Sequence, residues 1–163
     1  MLIIISHSKV ASVALVALLL SGCAVERVSP GTPRAEVLKQ YGQPSREVAL
    51  ASGSRLQYSF QPAGQQAVMV DLDAAGRVVS SRQVLQSAEF ARIGINQWSR
   101  ADVEREFGRS ASIDRVANWP GDIMTYSWKD ASQDMFFYVY LDAANVVQRT
   151  GQGMDFRKSP PSD

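Results

Sequence analysis

"MFFYVYLDAANVV", residues 135–147, has the composition of a strand but not the alternation of a half-exposed one. A strand with one face in water alternates apolar and polar residues. Here Met135, Phe137, Val139 and Leu141 fall on one side, and Phe136, Tyr138 and Tyr140 on the other, so both faces are apolar. "AVMVDLDAAGRVV", residues 67–79, repeats the pattern with fewer aromatics. The fold must either cover both sides of this strand or keep one side for another use.

The likeness between the two stretches belongs to a longer repeat. "TPRAEVLKQYG" (32–42) and "WSRADVEREFG" (98–108) share Arg-Ala, Val, an aromatic and Gly at an offset of 66. "LQYSF" (56–60) matches "MTYSW" (124–128) at 68, and Leu72-Asp73-Ala74-Ala75 matches Leu141-Asp142-Ala143-Ala144 at 69. Order and spacing are both kept, and the offset grows only through loops, as in a duplicated unit.

Each unit reads as a helix followed by an antiparallel meander. Pro33 after Thr32, and Ser99 with Asp102 three residues on, are helix starts. Val37 with Tyr41, and Val103 with Phe107, give each helix an i, i+4 apolar edge. Gly42 and Gly108 end the helices, because a left-handed cap suits glycine. Strands are expected near 54–60, 66–72 and 77–85, then near 122–128, 134–141 and 145–150, with turns at Gly76 and Asn145. A further helical stretch, 87–94 with Ser87 as its cap, belongs to the second unit only. The fold class is therefore α+β: two tandem units, each a short helix or helix pair on a three-stranded antiparallel meander. Expected core residues are Val37, Tyr41, Tyr58, Phe60, Val68, Val70 and Leu72 in the first. In the second they are Val103, Phe107, Tyr126, Trp128, Phe137, Val139 and Leu141.

The beginning of the chain carries a different signal. Lys9 precedes a run of eleven residues, Val10 to Leu20, apolar but for Ser12, which is too short to span a bilayer and suits a secretory h-region. Leu20-Ser21-Gly22-Cys23 follows at once and resembles the bacterial lipoprotein box. Cys23 is the sole cysteine, so lipidation would consume the only thiol. Two or more acyl chains suffice for stable anchoring without a spanning helix. Ala24 after the cysteine resembles lipoproteins sorted to the outer membrane. The expected segments are a signal peptide (1–22), a lipidated tether (23–28), repeat 1 (29–86), repeat 2 (87–155) and a disordered tail (156–163). Cleavage takes Lys9 from the 17 basic residues and leaves 16 against 16 acidic ones, with the single histidine, His7, also removed. Such a balance gives no electrostatic reason to expect nucleic acid.

The helix "RAEVLKQYG", the following Gly42-Gln43-Pro44, the "LQYSF" strand and the Asp73-to-Gly76 turn together resemble the SmpA/OmlA (BamE-like) family of small outer-membrane lipoproteins. That resemblance covers most of 29–150 in two copies. Repeat 2 departs from it at Ser110 and Asn145, which replace a proline and a glycine. It implies helices packed on a three-stranded antiparallel sheet, and a role beside the barrel-assembly machinery. The two-copy arrangement also resembles secreted β-lactamase inhibitor proteins, which grip an enzyme with a concave sheet.

Catalysis is a poor fit to these residues. Without histidine or a free thiol, Ser/His and Cys/His pairs are unavailable, and the aspartates lack calcium-loop spacing. Asp73 and Asp142 are expected to open turns by bonding their own backbone, and Glu104, Glu106, Arg100 and Arg105 to form a solvated helix face. No cofactor or metal is expected. The candidate sites are Cys23 for lipidation and Phe136, Tyr138, Tyr140, Met69, Asp71 and Trp119 for a partner. Core packing is the expected role of Trp128 and stapling of the helix start that of Trp98, while Trp119 in "NWPGD" suits burial or recognition equally. The aromatic face is either covered within the chain or forms the floor of a groove, with Met69 and Asp71 as its repeat 1 side. The expected function is a non-catalytic lipoprotein of the outer membrane, facing the periplasm, that binds an envelope protein in assembly or maintenance. The alternative is an anchored inhibitor or sensor of a periplasmic enzyme.

Overall fold

A computed structural model describes residues 28–156. The expected signal peptide (1–22), Cys23 with nearly all of the expected tether, and the residues from Arg157 onward lie outside the described residues. The chain folds as α1 (Arg34–Tyr41), β1 (Arg46–Leu50), β2 (Gly53–Ser59), β3 (Ala67–Asp73), β4 (Val78–Gln83), α2 (Ser87–Phe90), α3 (Arg100–Phe107), β5 (Ser112–Asp114), β6 (Ile123–Asp130), β7 (Gln133–Leu141) and β8 (Val147–Met154). It is α+β, with two four-stranded antiparallel meanders ordered β1-β2-β3-β4 and β5-β6-β7-β8. The expected three-stranded sheets are thus each one strand larger. The additions, β1 and β5, are edge strands without a fully buried residue, and a strand with no core face writes no apolar alternation.

Local chemistry sets the helix limits. Ser99 accepts from the Asp102 backbone while the Asp102 carboxylate accepts from the Ser99 backbone, a complete capping box. Pro33 is the residue before α1 rather than its first, and Ser87 opens α2 from inside, with Gln86 as the cap. Gly42 and Gly108 both sit at φ 76°. Tyr58 Oη donates to the Gly42 carbonyl at 3.2 Å and Tyr126 Oη to the Gly108 carbonyl at 2.9 Å. The "YS" strand and the helix-ending glycine of each repeat are thus one device, a hydroxyl that satisfies a carbonyl left over at a helix end. The turns match as well: Asp73 and Asp142 each accept two backbone N–H bonds at 2.9 Å. Each sheet also has a bulge at the same place, between Asp71 and Leu72 and between Tyr140 and Leu141.

The layers run α1, first sheet, α2 with α3, second sheet. Val37 of α1 packs with Leu56, Tyr58, Val68, Val70 and Leu72 on one face of the first sheet, with Leu38 and Tyr41 half-buried beside them. The larger core holds Val103 and Phe107 of α3, Phe90 of α2, and Met124, Tyr126, Trp128, Phe137, Val139 and Leu141 of the second sheet. Phe90 stacks on Phe137 at 3.9 Å and meets Trp128 edge-on at 5.3 Å. Trp98 lies half-buried against this core, 6.3 Å from Phe107.

Two expectations fail here for physical reasons. Phe60 is 48% exposed. Its counterpart Trp128 is buried because the β6·β7 ladder continues to Asp130–Gln133, whereas β2·β3 stops at Ser59–Ala67 and Phe60 falls beyond the sheet. Met69, expected on an outer face, is 0% exposed and belongs with Ala67 to the core of the second unit. The second face of the first sheet is the seat of α3.

Met69 therefore couples the units. Met69→Ala should cost about 2–5 kcal/mol, and denaturant unfolding should remain one transition at a lower midpoint. A second transition, or no loss, would show that the units unfold separately.

Candidate docking face

The far face of the second sheet follows from the alternation of β7. With Phe137, Val139 and Leu141 turned into the core, Phe136, Tyr138 and Tyr140 point to the other side and are half-buried. They form a row: Phe136 to Tyr138 at 6.0 Å between ring centroids, and Tyr138 to Tyr140 at 6.4 Å. Trp119 extends it, meeting Tyr140 edge-on at 5.3 Å. Its indole N–H donates to the Leu141 carbonyl at 2.6 Å, which fixes the ring at the rim. Trp119 is half-buried at the end of the aromatic row.

Glycines decide how the rings lie. Gly151 and Gly153 on β8 stand opposite Tyr138 and Phe136. A Cβ at Gly153 would lie 3.5 Å from both Cε2 and Oη of Tyr138, and one at Gly151 3.7 Å from Cε2 of Tyr140. The tyrosine rings thus lean over bare backbone, and a bulky side chain at either glycine would push them off it.

Arg149 completes the row and escaped the sequence reading. Its guanidinium carbon is 4.0 Å from the Tyr140 ring centroid and 5.0 Å from that of Trp119, both cation–π distances. Regular hairpin counting from Leu141–Val147 would set Gln148 opposite Tyr140. The bulge skips one residue and puts Arg149 there instead.

The other two candidate partner residues are elsewhere. Met69 has no accessible surface. Asp71 takes a bidentate pair from Arg55, Nε to Oδ1 at 2.6 Å and Nη2 to Oδ2 at 2.9 Å. Arg55 also reaches Glu106 at 3.0 Å and donates to the Arg105 carbonyl at 3.1 Å. Gln57 donates to the carbonyls of Glu104 and Arg105 at 3.0 and 2.9 Å. The expected solvated face of α3 is in part this interface. Burial works against the Arg55 charge, but Asp71 and then Glu106 outweigh it and hold its pKa above the ordinary arginine value. A groove of about 650 Å³ of mixed character opens between the units, lined by Arg46, Glu104 and Arg109, by Ser45 and Ser59, and by Ile113.

Among the described residues, no three His, Cys, Asp or Glu side chains converge as a metal site would require, and no helix is long and apolar enough to cross a membrane. The chain matches no protein-family profile and no curated protein. Among solved structures it is similar to a DUF4309 family protein, YjgB, of Bacillus subtilis, at 11% identity, over 76% of this chain and 79% of that one. The TM-score of 0.33 is too low for that likeness to carry an argument.

Arg55→Ala removes the bidentate partner of Asp71 and leaves Glu106 only its longer pairs with Arg105 at 3.4 Å and Arg92 at 3.9 Å. A loss of about 3–5 kcal/mol is expected, as for a broken buried pair. Thermal melts of Arg55→Ala against Arg46→Ala, whose side chain is exposed and 3.6 Å from Glu104, would check it. Equal losses would remove the special role of Arg55.

Proposed function

We propose that this protein is a non-catalytic, lipid-anchored binding module of the outer membrane. In this reading it is built from two tandem BamE-like units and faces the periplasm, where it docks an envelope protein in outer-membrane assembly or maintenance. The observation that carries the docking role is the row Phe136–Tyr138–Tyr140–Trp119. A fully buried aromatic hides roughly 150–250 Å². Three rings in line, each no more than about a third exposed, form with Trp119 a continuous apolar strip rather than scattered single residues, and a continuous patch is what marks a contact site. Tyrosine suits such a face because its hydroxyl tolerates water while its ring supplies contact area. The anchor rests on the apolar run ending in Leu20-Ser21-Gly22-Cys23, and the BamE-like reading on the repeated helix, "YS" strand and Asp-Ala-Ala turn.

Two experiments test this. Cys23→Ser should leave an uncleaved precursor or a soluble periplasmic species. A Cys23→Ser protein that still fractionates as a mature outer-membrane form would sink the anchor. For docking, a photo-crosslinking residue at position 136, in the same row but untouched by the substitutions below, should capture an envelope protein in intact cells. The Tyr138→Ala, Tyr140→Ala double variant should lose that capture at least tenfold while its Tm stays within a few degrees. A Tm drop of more than about 10 °C would show that the row belongs to the core instead. Capture of a soluble periplasmic hydrolase would favour an anchored inhibitor over an assembly factor.

A further inference from the structure

The two sheets offer the same surface with different residues, and the difference bears on what binds. An offset of 69 sets Phe136, Tyr138 and Tyr140 where the first sheet has Ala67, Met69 and Asp71. An offset of 68 sets Ile123 and Thr125 where it has Arg55 and Gln57. The first sheet seats a helix, and its surface shows what that takes. Arg55 and Gln57 donate to the last carbonyls of α3. The helix end comes close enough that a Cβ at Gly108 would lie 3.3 Å from the Ser59 Cβ and 3.4 Å from the Met69 Cε. The second sheet lacks both provisions. Ile123 has no donor, Thr125 is too short to replace Gln57, and large rings stand where Ala67 and Met69 let the helix approach.

What the second sheet offers is a row of rings one strand wide, steadied by the indole bond to Leu141, with a cation at one end. Arg149 is exposed and has no carboxylate within ion-pair distance among the described residues. Polyproline II segments match such a row. Their backbone makes no internal hydrogen bonds and stays hydrated, so the face need not supply donors and acceptors for it. Their prolines dock on aromatic-lined surfaces at low entropic cost. We infer that the row from Phe136 to Trp119 takes a proline-rich segment of a partner in the polyproline II conformation, with an acidic residue of that segment on Arg149. The inference rests on the docking reading above and supplies its partner chemistry.

The test uses a synthetic peptide of eight prolines followed by two glutamates, titrated into the protein purified after expression from its full sequence. Binding is read from the NMR signals of the Trp119 indole N–H and the Arg149 Nε–H. Saturable shifts at both groups are expected. Affinity should fall at least tenfold in Tyr140→Ala and several-fold in Arg149→Gln, with Tyr140→Phe near wild type. The Arg149→Gln effect should shrink in high salt, as an ion pair requires. Arg149→Gln keeps the question open to decision if Tyr140→Ala fails to fold.

Absent binding, or binding indifferent to Tyr140→Ala and Arg149→Gln, overturns the inference. Stronger binding by the same peptide with alanine for proline overturns it in favour of a helix, and stronger binding by an N-acetylglucosamine tetramer in favour of a glycan. Binding that appears only after deletion of 157–163 overturns it too, since the chain's own Pro160-Pro161 would then be the competing occupant. If the peptide fails while crosslinking at position 136 still captures a protein, only the polyproline reading falls. If both fail, the docking reading falls with it.

Discussion

Arg55 lies in the layer between the two units, and the relation of one unit to the other depends on it. A guanidinium with little exposed surface must be paired, because an isolated buried charge is very costly. Asp71 holds it within its own sheet, and Glu106 with the Arg105 carbonyl holds it to α3. Such pairs add little net stability against an apolar replacement, but they make misaligned packings expensive. Ala67 and Met69 would tolerate α3 at several rotations on the sheet. The fork of Arg55 and the amide of Gln57 accept its last turn in one.

That docking makes the two repeats unequal. Each has a helix ended by a positive-φ glycine whose carbonyl takes a tyrosine hydroxyl, and each has the same turn and bulge. Among the described residues, the first sheet has helices on both faces and the second has helices on one. The 61–65 loop adds to the join: the Gln61 amide exchanges two bonds with the Ser127 backbone, and Gln65 donates to the Trp128 carbonyl. These bonds satisfy part of the β6 edge beyond the point where β5 ends, an edge that would otherwise invite pairing with another chain.

A sheet face that is not used to join the units is released from the need for a helix seat. In the second repeat that face has traded arginine, glutamine and small residues for aromatics, while Gly151 and Gly153 opposite let the rings lean over backbone. The same scaffold thus supports an internal joint on one sheet and an aromatic row on the other. Which neighbour approaches a sheet decides the use of its face.

Much of this was legible in the chain. The α+β class, the duplicated unit, the helix-ending glycines, the aspartate turns and the inward set Phe137, Val139 and Leu141 follow from period, offset and turn chemistry, which are local. The outward set Phe136, Tyr138 and Tyr140 follows from the same alternation. The neighbours of each face were not legible. Met69 and Tyr138 occupy equivalent positions, yet one is sealed under α3 and the other stays part-exposed, because burial of a strand's second face depends on segments distant in sequence. The edge strands β1 and β5 carry no periodic signal, since neither has a core face. Phe60 and Trp128 differ only in how far their ladders run, and Arg149 reached the aromatic row through a one-residue bulge. Sequence determined which residues share a face. Tertiary structure decided what each face meets, because pairing length, register slips and the joining of units are settled between segments and leave no period within one.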